Sequence, residues 1–65
     1  MNNFKAMREK ANLKQTEAAE KLGVAQSTIS MWENDENLPQ AKLLPSIAAL
    51  YNCAIEDLYG DNSGI

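Results

Sequence analysis

Histidine is absent from this 65-residue chain, and cysteine occurs once, at Cys53. A lone thiol cannot close an intrachain disulfide. Without imidazole the chain also lacks the commonest general base and the usual His/Cys sets that hold zinc. No glycine-rich phosphate loop is present. Glu17 and Glu20, three residues apart, read as a solvated helix face. The sequence therefore predicts no catalytic residues, no metal and no cofactor, and so no enzyme. Cys53, two residues after Tyr51 and with no imidazole to activate it, is expected to be a buried structural thiol.

No stretch approaches the ~20 apolar residues that span a bilayer, and residues 1–5 (MNNFK) carry no apolar signal-peptide core. The expectation is a soluble, cytoplasmic protein with no membrane partner. Three glycines and two prolines are too few for a low-complexity chain, while 45% hydrophobic residues are enough for a core. At this length one domain is the limit, with roughly 60% of the unfolded surface available for burial. That domain is expected over residues 1–60, with residues 61–65 as a frayed tail.

The apolar spacing is helical throughout, and no segment alternates with period two. Asn2 or Asn3 can cap a first helix with Phe4, Met7 and Ala11 inward, and Asn12 suits the left-handed residue that stops it. A second helix is predicted over 15–22, ended by Gly23. Gly23-Val24-Ala25 is long enough only for a turn, and helical spacing resumes from Gln26 to about Asn34 with Ile29 and Trp32 inward. After a polar connector, Ala41 to Leu43 is expected as a 3₁₀ lead-in to a fourth helix starting near Leu44-Pro45, where proline costs little. Ile55 to Tyr59 makes a fifth turn closed by Gly60. The fold class predicted is all-α: a compact bundle of five short helices with a helix-turn-helix at its centre.

With Ile29 and Trp32 buried, helix geometry turns Gln26, Ser27, Ser30 and, at the edge, Met31 outward. A face that only solubilises would carry Lys and Glu. This one carries types that hydrogen-bond base edges or touch a thymine methyl, so these four are the candidate base-contact residues. The net charge of −3 argues against nucleic acid, because neutralised phosphates supply much of the affinity. Its distribution argues the other way. Up to Met31 the cations Lys5, Arg8, Lys10, Lys14 and Lys21 outnumber Glu9, Glu17 and Glu20. From Trp32 onward Lys42 alone faces six carboxylates, so the basic half coincides with the helix-turn-helix.

Met7-Arg8, the run from Leu13 to Val24, Ser27-Thr28-Ile29-Ser30 and Trp32-Glu33-Asn34 occur in an order that resembles the Cro/CI-type helix-turn-helix family. That family includes phage repressors and xenobiotic-response-element-like regulators. Leu44 to Leu50 and Ile55 to Leu58 are similar to its closing helices, so the likeness covers about Phe4 to Tyr59. The resemblance implies a lambda-repressor-like fold and a small transcriptional repressor or regulator that binds double-stranded DNA with helix three in the major groove. By the same likeness, Gln15 would bond a backbone phosphate and brace Gln26, Asn34 would reach phosphate, and Arg8 with Glu33 would form a structural ion pair.

Lys14 departs from the family's Ser or Thr cap, giving up ~1 kcal/mol of capping while adding a cation. Lys14, Thr16 and Lys42 complete the expected phosphate contacts. Asp35 stands where Gly is common, and Glu36 adds further negative charge. One recognition helix reads few base pairs, so a homodimer on a pseudo-palindromic operator is expected, with half-sites about 34 Å apart. Leu58, Tyr59 and the tail are the expected dimer surface. The acidic total leaves an alternative: a protein-interaction module on the same fold that has lost DNA binding.

Overall fold

Four helices in this protein end the same way. The computed structural model describes residues 2–59, and its elements are α1 (Phe4–Lys10), α2 (Gln15–Leu22), α3 (Gln26–Glu33), a 3₁₀ turn (Ala41–Leu43), α4 (Leu44–Tyr51) and α5 (Ile55–Tyr59). After each of α1 to α4 one residue turns left-handed: Asn12 (φ 63°), Gly23 (φ 73°), Asp35 (φ 61°) and Asn52 (φ 58°). The next N–H then reaches back five residues, Leu13 to Arg8, Val24 to Ala19, Glu36 to Met31 and Cys53 to Ala48, at 2.9–3.1 Å. These bonds satisfy carbonyls that the helix itself leaves open. Asn12 and Gly23 stop their helices as expected, and Asp35 adds a left-handed stop that its residue type concealed.

Asn2 and Asp57 manage the starts of α1 and α5. Asn2 Oδ1 accepts the Phe4 N–H at 2.9 Å, so Asn2 rather than Asn3 supplies the α1 cap. Its Nδ2 donates to the Trp32 carbonyl at 2.8 Å and to Asp35 Oδ1, while the Asn3 N–H bonds the Leu58 carbonyl at 2.8 Å. The start of the chain is thereby clasped to the ends of α3 and α5. At α5, Asp57 Oδ2 accepts the Ala54 N–H at 3.0 Å, placing a carboxylate at the helix N-terminus.

The core comprises Phe4, Ala18, Ala19, Ile29, Trp32, Ile47, Ala48, Tyr51 and Leu58. Ala18 and Ala19 are the buried residues of α2, whose main packing partner is α3, and Ile29 and Trp32 are those of α3. Phe4 joins the aromatic contacts, with ring centroids 6.2 Å from Trp32 and 5.5 Å from Tyr59, the latter edge-on. Fully burying Phe4, Ile29, Ile47 and Leu58 contributes about 1.5–3 kcal/mol each.

Two expectations change. Leu58 is fully buried, because a one-turn α5 must spend its apolar side on the core, so Leu58 cannot form a dimer surface. Tyr59 and Ile55 are the exposed large apolar residues of α5. Cys53 is half-buried rather than buried, and partial burial pushes its thiol pKa up, with Asp57 adding to the effect. The tail over residues 61–65 and the closing role of Gly60 lie outside the described residues.

Candidate functional site

The turn Gly23–Ala25 sets the first turns of α2 and α3 beside each other, and both begin without a side-chain cap. Ala25 has no side-chain acceptor to offer. Lys14 has none either, since an ammonium only donates, so one half of a reciprocal cap is made: the Lys14 N–H donates to Glu17 Oε1 at 2.8 Å.

Gln26 and Ser27 are exposed on the first turn of α3, and Ser30 and Met31 are half-buried one turn further on. Asn34 is exposed and follows the last residue of α3; its Nδ2 lies 3.4 Å from Ser30 Oγ, joining two candidates from different expected roles. Lys14 and Thr16 are exposed and Gln15 is half-buried at the start of α2. An open cleft of about 560 Å³ brings Lys14, Gln15, Thr16 and Gln26 together over Arg8 and Leu13. Lys42 sits apart on the 3₁₀ turn and is not in its wall. Glu9 and Asn12 line the cleft too, and neither was read from the sequence as a site residue. Their signal is visible only in hindsight, since both lie at the C-terminal end of α1, where the chain passes into α2.

Beneath the cleft runs a hydrogen-bond chain. Arg8 Nε donates to Glu33 Oε2 at 2.6 Å, Nη2 to Oε1 at 3.2 Å, and Nη1 to the Leu13 carbonyl at 2.8 Å. The two side chains of this ion pair are 8% and 4% exposed. Gln15 Nε2 then donates to Glu33 Oε1 at 2.9 Å, and Gln26 Nε2 to Gln15 Oε1 at 3.3 Å. The chain thus connects a buried charge pair to the most exposed turn of α3. Hydrogen bonding to Glu33 holds the Arg8 pKa above its ordinary value despite burial. Burial first, and the Glu33 charge second, push the Tyr51 phenol up to about 12.

Among the described residues no cluster of three His, Cys, Asp or Glu side chains could hold a metal ion, and no helix is long and apolar enough to cross a membrane.

Comparison with known proteins bears on the family and the fold. A family model described as helix-turn-helix matches residues 4–58. An uncharacterized HTH-type transcriptional regulator from Archaeoglobus fulgidus is 38% identical over 56 residues, which is 86% of this chain and 79% of that protein. A crystal structure of a proposed DNA-binding protein from Bacteroides fragilis superposes with a TM-score of 0.84 at 25% identity, covering 92% of this chain and 97% of that one.

Proposed function

Because the chain belongs to the Cro/CI-type helix-turn-helix family, we propose that it binds double-stranded DNA sequence-specifically and regulates transcription, as a repressor. One observation carries this reading. The first turn of α3, where Gln26 and Ser27 are exposed, adjoins the first turn of α2, and Gln26 shares one open cleft with Lys14, Gln15 and Thr16. That arrangement suits α3 in the major groove, with Gln26, Ser27, Ser30 and Met31 toward base edges. The start of α2 then faces phosphate, where N–H groups and the helix dipole favour an anion. Asn34 and Lys42 add backbone contacts on the far side.

Cations are few, so hydrogen bonds carry more of the recognition than charge does, and a second copy of the chain on a pseudo-palindromic site supplies the remaining affinity. The setting proposed is the cytoplasm. Selection of bound sequences from a random DNA pool tests the reading. It should enrich an inverted repeat, and Gln26→Ala should cost about 1–3 kcal/mol at one position and relax its base preference. A pool that emerges unenriched refutes DNA reading. Asp35 and Glu36, both exposed at the end of α3, favour a second reading in that event: a protein-interaction module on this fold.

A further inference from the structure

The hydrogen-bond chain beneath the cleft runs in one direction, outward from Glu33 as acceptor. A carboxylate accepts and never donates, and both oxygens of Glu33 already receive Arg8. Gln15 can therefore meet Glu33 only through its NH₂ group, as it does at 2.9 Å. Its Oε1 is turned outward, and Gln26 can meet that oxygen only through Nε2, as it does at 3.3 Å. With the Glu33 side chain 4% exposed, little water reaches it to relay the bond the other way. One buried charge thus dictates the orientation of the Gln15 amide, and the oxygen this turns outward receives Gln26.

We infer that Glu33 is a positioning residue that sets the base preference of Gln26, selecting adenine over guanine. This rests on the DNA-reading role proposed above. In the major groove adenine shows an acceptor, N7, beside a donor, the N6 amino group, whereas guanine shows two acceptors, N7 and O6. Gln26 has two amide hydrogens and commits one to Gln15. One donor and one acceptor remain, which is adenine's complement. Were the chain reversed, Gln15 would donate to Gln26 Oε1, leaving Gln26 two free N–H donors, which is guanine's complement. A carboxylate that itself faces the protein interior thereby reaches the operator through two side chains.

The experiment measures base discrimination separately from affinity. The position relaxed by Gln26→Ala identifies the base pair that Gln26 reads, and the wild type should favour adenine over guanine there by about tenfold or more. Gln15→Leu keeps the Arg8–Glu33 pair but releases both amide hydrogens of Gln26. Its adenine-to-guanine ratio should fall about tenfold, while preferences at positions read by Ser27 and Ser30 stay unchanged. Glu33→Gln, which can face Gln15 with either oxygen or nitrogen, should do the same. A uniform loss of affinity with the ratio intact would mean that Glu33 only braces and Gln15 only braces or binds phosphate, and overturns the inference. If Glu33→Gln does not fold by circular dichroism, Gln15→Leu alone decides. A wild type that enriches no sequence refutes DNA reading itself, whereas an enriched site with guanine opposite Gln26 refutes only the role of Glu33.

Discussion

Replacing Arg8 by Met removes a charge from a pair that is almost out of water. The Glu33 carboxylate, 4% exposed, would keep just the Gln15 Nε2 bond, and the Leu13 carbonyl would lose its donor. Breaking a buried pair on one side costs about 3–5 kcal/mol, and the surviving Gln15 bond places this case near 3 kcal/mol. A domain of this length holds about 3–10 kcal/mol in total, so a large share is at stake. With a urea slope of about 1 kcal/mol per molar, the midpoint should fall by about 3 M. Trp32, 3% exposed, reports the transition by fluorescence as it meets solvent. Glu33→Met alone should be similarly damaging, whereas the Arg8→Met/Glu33→Met double variant should recover about 2 kcal/mol or more relative to the sum. Additive losses, or a single-variant loss below about 1 kcal/mol, would show that the pair is energetically inert and refute this account.

Gly23→Ala isolates the backbone, because a Cβ there meets nothing within 4 Å and only φ +73° opposes it. It should cost about 1 kcal/mol and lower the melting temperature by about 4–8 °C; a loss above about 3 kcal/mol would reveal a clash the geometry lacks. Asp35→Asn keeps an oxygen for Asn2 Nδ2 and a residue tolerant of φ 61°, while removing a negative charge from the end of α3. Stability should rise by about 0.3–1 kcal/mol, and a fall in chemical denaturation would contradict this. The Tyr51 phenol sits at about 12 when folded, against 10.0 ordinarily. The folded state therefore resists ionisation, and this contribution is intact below about pH 10 and lost as pH rises toward about 12. Tyr51→Phe should flatten the alkaline decline in stability over that window. Superimposable curves would exclude Tyr51 as the group responsible.

Local requirements were the most legible part of the sequence. Asn12 and Gly23 announce left-handed positions, Pro45 announces a helix start, and the spacing of Ile29 and Trp32 fixes which side of α3 faces outward. Helix three is one residue shorter than its pattern, because Asn34 follows as its cap. Asp35 was read as charge, although its main role is conformational: it fills the left-handed site where glycine is common. The Asn2 bonds to Trp32 and Asp35 join residues 30 and 33 apart, so no window of spacing could expose them. Leu58 looked available because a single helical turn has too short a period to reveal its inward side. Of the candidate site, residue types and faces were readable, whereas the direction of the amide chain depends on where a buried carboxylate comes to rest.

The clasp at the start of the chain has a kinetic meaning. The Asn3–Leu58 bond closes almost the full described length, and the Asn2–Trp32 bond closes half of it. The α2–α3 unit, by contrast, assembles from neighbouring residues, and loop closure makes distant bonds the late ones to form. Asn2→Ala should consequently accelerate unfolding and leave the refolding rate nearly unchanged, a pattern that stopped-flow chevrons resolve and that equal shifts in both limbs would contradict. On this order of events α3 is built early and latched last. Its final turn should then be among the first places where the native state opens.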